Sequence, residues 1–311
     1  MKLELRHFNS LISLANHFSN DKRCRDFITE QRWGKTIVCP FCGHTHIYTC
    51  GNGDNQFKCG HCHKRFSCLV GTIFQNTKLP LQKWFMAMYL VSSHKKGISS
   101  HQLSRDIEIT QKSAWYMLQK IRTLFRQYDN KALEGEVEMD EMYLGGRETN
   151  KHESKKTEHT QGRSTKTKAP IFGMVERNGQ ARVMYVPNTQ AATLMPIIRQ
   201  FCQDNADLFT DELNSYSGLS GMGFRHNVIN HGKREYVNGN THTNTIEGFW
   251  AQFKRMVFGL YHHISREYLQ VYINEAVYRW NTRKISESRR FADMFEKSIG
   301  VCTYCDVRMT G

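Results

Sequence analysis

The sequence contains no long apolar run, and its first residues are charged. Its 311 residues include no stretch of eighteen consecutive apolar residues, so we expect no membrane-spanning helix. The first ten residues, MKLELRHFNS, carry charges throughout and do not resemble a secretory signal peptide. We therefore expect a cytoplasmic protein. Hydrophobic residues make up 39% of the chain, enough for packed cores, and the length favours two or three domains.

Acidic residues are too few to balance the basic ones. The chain has 43 Lys and Arg against 29 Asp and Glu, a net charge of +14 at pH 7. This excess favours a polyanionic partner, and nucleic acid is the commonest one. Many proteins that bind no nucleic acid are also basic, so the motifs have to identify the partner.

Cysteine is scarce outside the N-terminal region, because seven of the ten cysteines lie between Cys24 and Cys68. In a cytosolic chain such clustering indicates metal ligation before disulfides. The sequence CPFC contains Cys39 and Cys42, and CGHC contains Cys59 and Cys62, with sixteen residues between the two pairs. Two knuckles at this spacing predict a zinc ribbon, in which a hairpin brings both pairs to one structural zinc ion.

Other residues of the same types leave alternatives open. Close to the two knuckles the possible rival ligands are Cys50, Cys68, His61 and His63. We predict that Cys24 and Cys68 are plain buried thiols. The late pair Cys302 and Cys305, in CTYC, is either two free thiols, which we favour, or part of a metal site completed by a partner.

Two short helices are predicted after an apolar helical run at residues 80–94. Ser99 or Ser100 can cap a helix that extends to Asp106, and Thr110 can cap the next one. The second helix is rich in Gln, Lys, Ser and Arg, a pattern that fits a DNA-reading helix-turn-helix and an ordinary helical hairpin about equally. The basic charge of the chain and the zinc ribbon upstream favour the helix-turn-helix. The residues that would then face the groove or the phosphates are Gln111, Lys112, Ser113 and Tyr116.

The stretch EVEMDEMYLGG, residues 136–146, alternates acidic and apolar residues, which predicts a strand. Glu136, Glu138 and Asp140 share one face, while Val137 and Met139 share the other. Like charges along one face repel each other, so water, basic neighbours or a bound cation must relieve the repulsion. A solvated outer face of a sheet is the simplest alternative.

Residues 135–290 are predicted to form a mixed α/β unit. Two further strands, PIFGMVER and ARVMYVPN, precede a helix at 191–204, a strand ending in FTDE and a helix from about Asn244. This order is that of a ribonuclease-H-like core, which holds acids at strand ends and on a late helix. Residues 147–168 carry seven basic and three acidic residues and form either a flexible insertion or a DNA-contacting arm.

Phosphoryl transfer with two divalent ions needs clustered carboxylates. Asp140 and Asp211 are the first candidates. On the late helix, Glu247 and Lys254 lie two turns apart on one stripe, and the alternative is an ordinary surface pair. His242 precedes Glu247 and is predicted to shape the loop or to contact DNA; binding a metal ion is the less favoured alternative. The stripe beside Glu247 is apolar and is predicted to face the core; it consists of Ile246, Phe249, Trp250, Phe253 and Val257.

The ordered combination of motifs resembles the DDE transposases of bacterial insertion sequences, in the zinc-ribbon group with an Asp-Asp-Glu-Lys set (ISXO-like). The strings that carry the resemblance are RWGKTIVCPFCG, CGHCHKRFSCLVGTIF, TKLPLQKWF, GISSHQLSRDI, VEMDEMYLGG, FTDELNSY, HTNTIEGFWAQFKRMVFGLYHHIS and YLQVYINEAVYRWNTR. They span residues 32–290. The catalytic positions of that family fall on Asp140, Asp211, Glu247 and Lys254. The extra acids Glu138, Glu141 and Glu212 lie beside them.

The resemblance implies a chain organised as an N-terminal region with a zinc ribbon (1–75), a helix-turn-helix (76–130), a ribonuclease-H-like catalytic core (131–290) and a tail (291–311). It implies two Mg²⁺ ions on Asp140, Asp211 and Glu247, with Mn²⁺ able to substitute, and a DNA-phosphate contact from Lys254. The implied partners are the element's terminal inverted repeats, target DNA and further copies of the chain, in the bacterial nucleoid. A DNA-binding regulator with an inactive core and a ribonuclease-H-like nuclease are the alternatives.

Overall fold

The computed structural model describes residues 8–51, 55–126, 131–146, 152–156, 164–229 and 242–300. Within these ranges the helices are α1 (Leu11–His17), α2 (Asp21–Trp33), α3 (Leu81–Ser93), α4 (Ser100–Asp106), α5 (Gln111–Arg122), α6 (Ala191–Phe201), α7 (Asn244–Met256), α8 (Leu269–Asn281) and α9 (Glu287–Ser298). The strands are β1 (Ile47–Cys50), β2 (Gln56–Cys59), β3 (Arg65–Ser67), β4 (Glu136–Leu144), β5 (Ala169–Glu176), β6 (Ala181–Tyr185), β7 (Asp207–Thr210) and β8 (Arg225–Val228). None of these helices is long and apolar enough to cross a membrane.

The chain divides into two compact units. The first unit combines Met1–Phe125 with Lys284–Gly311, and the second is Arg126–Arg283. The predicted fold class is confirmed, since a cysteine cluster and helices precede a mixed α/β sheet. The finer domain boundaries stay a prediction.

In the first unit, β1, β2 and β3 form an antiparallel sheet. Trp33, at the end of α2, packs edge-on against Phe57 and Phe66 of this sheet, with ring centroids 5.7 and 5.9 Å apart. The aromatic side chains form a small core beneath the cysteine knuckles. The sheet is therefore held by a few large rings and by the knuckles.

Helices α4 and α5 begin where the sequence predicts. The Ser99 hydroxyl accepts a hydrogen bond from Gln102 N at 3.1 Å, which caps α4. The Thr110 hydroxyl accepts one from Ser113 N at 3.2 Å, which caps α5. Helix α5 buries Ala114 and every residue from Met117 to Arg122, and its exposed residues, Gln111, Lys112 and Tyr116, lie in its first half.

Helix α9 was not predicted, and most of it lies in the predicted tail, residues 291–311. Its Phe295 packs against Phe27 and Phe85, at centroid distances of 4.9 and 5.1 Å. Ser286 caps the helix by accepting a hydrogen bond from Arg289 N. The signal was available in the Ser cap and the Phe291–Phe295 spacing. The late pair Cys302 and Cys305 lies outside the described residues.

The sheet of the second unit has the strand order β6-β5-β4-β7-β8. The first three strands are antiparallel neighbours, whereas β4 pairs in parallel with β7, and β7 with β8. This arrangement agrees with the predicted ribonuclease-H-like order of three strands, a helix and a strand. Strand β8 was not predicted and lies between the predicted strand that ends in FTDE and the predicted helix from about Asn244.

Two hydrophobic cores cover the two faces of this sheet. Val137 and Met139 of β4 face α6, and Met142 faces α7 and α8. The predicted alternation of β4 is therefore confirmed. The same alternation points Glu138 and Asp140 toward α7.

Candidate active site and metal ligands

The four predicted zinc ligands lie together. The sulfur atoms of Cys39, Cys42, Cys59 and Cys62 all lie within 4.8 Å of one another. The Cys39–Cys62 and Cys42–Cys59 sulfur pairs are each 3.6 Å apart. A tetrahedral zinc ion with Zn–S bonds of about 2.3 Å separates its sulfurs by about 3.8 Å. The spacing therefore fits zinc.

Local backbone geometry supports this cluster. Gly43, just after the first knuckle, has φ +76°, a conformation that favours glycine. The Cys62 N–H donates to Cys59 Sγ at 3.5 Å and lowers the pKa of the Cys59 thiol to about 7. At Cys59 the lowered pKa favours the thiolate, which is the form that binds metal, whereas burial and the neighbouring thiols raise the pKa of Cys42 to about 12.

The remaining cysteines of the ribbon region behave as predicted. Cys24 and Cys68 are fully buried, and burial raises the pKa of each thiol, that of Cys24 to about 12. Cys50, His61 and His63 are not members of the sulfur cluster. The paired knuckles alone supply its four atoms.

A second cluster lies where the parallel pairing of β4 with β7 ends. Carboxylate oxygens of Asp140, Glu141 and Asp211 lie within 4.8 Å of one another. Asp140 and Glu141 belong to β4, and Asp211 directly follows β7, the parallel neighbour of β4. The structure thus brings together two of the predicted catalytic acids and adds Glu141.

Asp140 is held in place by two donors. Trp250 Nε1 donates to its Oδ2 at 3.0 Å, and the backbone N–H of Glu141 donates to its Oδ1 at 2.8 Å. The indole can lie over the sheet because Gly173 faces it from β5, where a Cβ would approach the ring to 2.7 Å. Trp250 was predicted only as a core residue.

The electrostatic environment of Asp140 is unfavourable for its charge. Burial, and then the negative charges of Asp211 and Glu247, raise the pKa of Asp140 to about 6. The two hydrogen bonds from Glu141 N and Trp250 oppose this rise. A bound cation would remove the repulsion.

Asp211 and Glu141 also have defined partners. The backbone N–H of Leu213 donates to Asp211 Oδ1 at 3.0 Å, so the carboxylate is oriented by its own turn. The buried Tyr216 hydroxyl donates to Glu141 Oε1. Burial, and then the Glu141 charge, raise the pKa of Tyr216 well above its ordinary value, which keeps it a donor. The Glu141 contact was not predicted.

Glu138 is fully buried and joins β4 to the start of α7. Its Oε2 accepts hydrogen bonds from the backbone N–H groups of Thr245 and Ile246 at 2.7 and 2.9 Å, and its Oε1 accepts one from the Thr245 hydroxyl at 2.9 Å. A carboxylate at a helix N-terminus satisfies free N–H groups and complements the helix dipole. Glu138 therefore caps α7 from a neighbouring strand.

Arg177 neutralises the acidic face of β4. Its Nε donates to Glu138 Oε1 at 2.7 Å, and its Nη1 lies 3.2 Å from Glu136 Oε1. Its guanidinium lies 4.1 Å from the ring centroid of Phe209, in β7. The side chain therefore links β4 and β7, the two strands that present Asp140 and Asp211. The alternative of a solvated acidic face is wrong for the buried Glu138.

His242 adjoins this network instead of the acid cluster. Its backbone carbonyl accepts a hydrogen bond from Arg177 Nη2 at 2.8 Å, and its Nδ1 lies 3.2 Å from Glu138 Oε1. Among the described residues, it is not grouped with Asp140 and Asp211. These contacts favour the loop-shaping role over the metal role.

Glu247 and Lys254 lie on the exposed stripe of α7, with exposed Ala251 between them. Glu247 accepts a hydrogen bond from the Thr243 hydroxyl at 3.3 Å and stands apart from the three clustered acids. Its charge nevertheless contributes to the raised pKa of Asp140. All five residues of the predicted apolar stripe of α7 are buried.

The predicted DNA-reading residues of α5 are accessible to different degrees. Gln111, Lys112 and Tyr116 are exposed, and Gln111 Nε2 also donates to the Ser100 hydroxyl at 2.8 Å, which joins α5 to α4. Ser113 is half-buried. The Lys120 ammonium lies 6.0 Å from the Tyr116 ring centroid. The predicted arm at 147–168 is described only at 152–156 and 164–168, and its other residues lie outside the described ranges.

The contacts of four residues at the site were not predicted; these residues are Glu138, Glu141, Arg177 and Trp250. Glu138 and Glu141 were recognised as extra acids, but their partners lie on elements far along the chain. A buried acid at a strand position facing a helix was the available signal for Glu138.

Comparison with known proteins supports the resemblance. The ISXO2-like transposase domain matches residues 132–281, and the transposase zinc-ribbon domain matches residues 19–65. An uncharacterised protein of the transposable element ISH50 from Halobacterium salinarum is 27% identical over 267 residues, covering 82% of this chain and 89% of that protein. An uncharacterised transposase-like protein from Haemophilus influenzae is 34% identical over 100 residues, covering 32% of this chain and 80% of that protein. The chain belongs to the ISXO2-like transposase family.

Proposed function

We propose that the chain is the transposase of an insertion sequence that binds the element's terminal inverted repeats, cuts its ends and joins them to target DNA. The observation that carries this proposal is the meeting of Asp140 and Asp211 where the parallel pairing of β4 with β7 ends. Helix α7, which presents Glu247, is anchored to β4 through Glu138. This anchor, and the contribution of the Glu247 charge to the raised pKa of Asp140, support Glu247 as the third acid.

Asp140, Asp211 and Glu247 would hold two Mg²⁺ ions, for which Mn²⁺ could substitute. Carboxylate oxygens are the ligands that Mg²⁺ prefers, and the raised pKa of Asp140 reflects negative charge that a cation would neutralise. Bound ions would activate the attacking oxygen and stabilise the leaving one. Water is the attacking group at the first cut, which leaves a 3′-hydroxyl. That hydroxyl then attacks a target phosphodiester and displaces its 3′-oxygen, without a covalent enzyme intermediate.

The chain's own residues position these groups. Trp250 and Glu141 N orient the two oxygens of Asp140, while Leu213 N orients Asp211. Lys254 lies two turns beyond Glu247 on the same exposed stripe and would contact a DNA phosphate.

The first unit would recognise the DNA of the element's terminal repeats. The four cysteines would hold one structural zinc ion, because a closed four-thiolate site leaves no position for chemistry. The exposed residues Lys112 and Tyr116 of α5 would contact the groove or phosphates, together with Gln111 and Ser113. Joining two element ends requires at least two active sites, so we propose a dimer or larger assembly on DNA.

The test is a cleavage and joining assay with Mg²⁺ and the DNA that flanks the gene. Wild type is compared with Asp211→Asn, which removes one carboxylate charge from the cluster, and with Glu212→Gln. Glu212 is the matched control because it is an exposed acid directly beside Asp211 that is not part of the cluster. We expect joined products from wild type and Glu212→Gln, and none from Asp211→Asn.

Other outcomes separate the two alternatives. Cleavage without joining in wild type would establish a nuclease in place of a transposase. DNA binding without cleavage or joining, in all three proteins, would establish a regulator with an inactive core. Equal activity of Asp211→Asn and wild type would overturn the assignment of the acid cluster.

A further inference from the structure

A basic groove lies at the end of α7, away from the three clustered acids. Its volume is about 440 Å³, and it lies between the end of β4, residues 166–169 and the chain that follows α7. Among the residues that the structure describes, none that lines this groove is acidic. The residues that give it its character are Lys166, Lys168, Phe258, His262, His263 and Arg266.

The backbone around the groove has unusual features. Helix α7 continues into a π-helical turn, Val257–Tyr261, and such turns are frequent at functional sites. His262 follows with φ +59°, a conformation that is uncommon for a residue with a side chain. It places the two consecutive histidines, His262 and His263, at the groove.

Close packing brings a second basic segment, residues 164–168, to the same groove. A Cβ on Gly145 would lie 2.8 Å from the Thr167 carbonyl oxygen, so glycine allows residues 164–168 to approach the end of β4. Lys166 and Arg266 are both exposed, and Arg266 Nη2 lies 3.5 Å from the Thr165 carbonyl oxygen. Two segments about 100 residues apart thus present positive charge to one groove.

The direction of α7 relates the groove to the acids. The start of α7 contacts Glu138 of β4, and Trp250 in the middle of α7 contacts Asp140. The chain that follows α7 lines the groove together with Leu144. Leu144 lies four residues beyond Asp140 along β4, which corresponds to about 13 Å. Successive phosphates of one DNA strand are about 3.4 Å apart along the helix axis, so the groove begins about four nucleotides from the acids and extends away from them.

We propose that this groove binds the sugar-phosphate backbone of the DNA about four to six nucleotides from the bond that is cut. The position relative to the cut rests on the proposed function, whereas the binding itself does not. Lys166 and Arg266 contact phosphates. Phe258, whose side chain is 57% exposed, stacks on an unpaired base beside them.

Nucleic acid fits this groove better than an acidic protein surface does. The whole chain carries a net charge of +14, and an exposed aromatic ring among basic side chains is typical of proteins that bind unpaired bases. Association of two copies through the groove is the competing interpretation, and light scattering without DNA detects it.

The test measures DNA affinity of the full chain as a function of salt. In the double variant Lys166→Ala, Arg266→Ala, we expect the slope of log affinity against log salt to fall by about two. The control is Lys131→Ala, Arg199→Ala, which removes the same charge from exposed residues elsewhere in the second unit: Lys131 precedes β4, and Arg199 lies on α6, across the sheet. We expect a slope like that of wild type for the control.

A second measurement locates the contact. Ethylation of phosphates four to six nucleotides from the cut should interfere with binding by wild type and no longer by the groove variant. Phe258→Ala should weaken binding of DNA with unpaired bases there by between about fivefold and a hundredfold, and binding of continuous duplex less.

The outcomes distinguish this proposal from the proposed function. Equal salt slopes in the groove variant and its control, or a loss of self-association without DNA, would overturn the groove assignment while leaving cleavage and joining intact. If the salt slope falls by about two in the groove variant, but the wild-type protein neither cuts nor joins DNA, the groove assignment is supported and the transposase reaction is overturned.

Discussion

The cysteine cluster and the acid cluster are both groups of ligands, but the chain assembles them differently. The four cysteines come from two short knuckles joined by one hairpin, within residues 39–62. The clustered acids come from β4 and from the residue after β7, and Glu247 comes from α7. The first cluster is a local structure, and the second depends on long-range packing.

This difference determines what holds each cluster in place. Thiolates that share one ion are stabilised by that ion, and small zinc-binding units often unfold without it. The acid cluster is supported by protein contacts: Glu138 caps α7, Arg177 links β4 and β7, and Trp250 orients Asp140. The second unit is therefore expected to keep its fold without metal, whereas the ribbon is not.

The largest expected effect is the loss of the ribbon on zinc removal. Structural zinc contributes about 10–16 kcal/mol of apparent binding free energy. Cys59→Ser should reduce the zinc content from one per chain to near zero and make residues 39–67 sensitive to protease. Metal analysis and proteolytic mapping measure both effects. Cys50→Ser is the matched control, since Cys50 is not in the cluster, and equal zinc loss in it would contradict the assignment.

The next effect concerns Glu138. Removing one partner of a buried ion pair costs about 3–5 kcal/mol, because the other charge is left buried. Glu138→Ala should therefore lower the free energy of unfolding of the second unit by that amount in urea. Glu136→Ala removes the other acid paired with Arg177, but its side chain is 37% exposed, so we expect about 0–1 kcal/mol. Similar costs for the two variants would show that Glu138 does not anchor α7.

A smaller effect should follow the ionisation of Asp140 in metal-free protein. Its pKa is about 6 in the folded state against 3.8 ordinarily, so the folded state binds the proton more tightly. The charge then destabilises the fold by up to about 3 kcal/mol above pH 6, and this cost disappears as the pH falls toward 4.

Asp140→Asn removes this titration. With EDTA present, the unfolding free energy of the variant relative to wild type should rise by about 2–3 kcal/mol from pH 4 to pH 7. Thermal or urea unfolding at each pH measures it. A difference that stays constant with pH would contradict the electrostatic account.

The smallest effect on stability should come from Lys254. Its side chain is exposed, so Lys254→Ala should change the unfolding free energy by no more than about 0.5 kcal/mol. Cleavage should nevertheless fall well below that of wild type, while Mn²⁺ affinity changes little. Arg255→Ala is the neighbouring exposed control. Parallel losses of stability, metal binding and cleavage would mean that Lys254 supports the fold.

The sequence predicts local features well and long-range partners poorly. Cysteine spacing predicts the ribbon, hydroxyl caps predict α4 and α5, and alternation predicts the two faces of β4. The contacts of Glu138 with Arg177 and α7 span from 39 to 108 residues of sequence, and no local pattern specifies them. Strand β8 is only four residues long and pairs with the distant β7, so no local pattern predicts it. Helix α9 was missed although its Ser286 cap and its Phe291–Phe295 spacing are visible in the sequence.

The central claim is that Asp140, Asp211 and Glu247 form one divalent-metal site. Calorimetric titration of the full chain with Mn²⁺ at pH 7.5 tests it directly, with zinc already bound and with Asp211→Asn, Glu247→Gln and the control Glu212→Gln alongside. The account predicts binding by wild type and Glu212→Gln, and at least a tenfold loss of affinity in each of the other two variants. Wild-type affinity in Asp211→Asn or Glu247→Gln would contradict it.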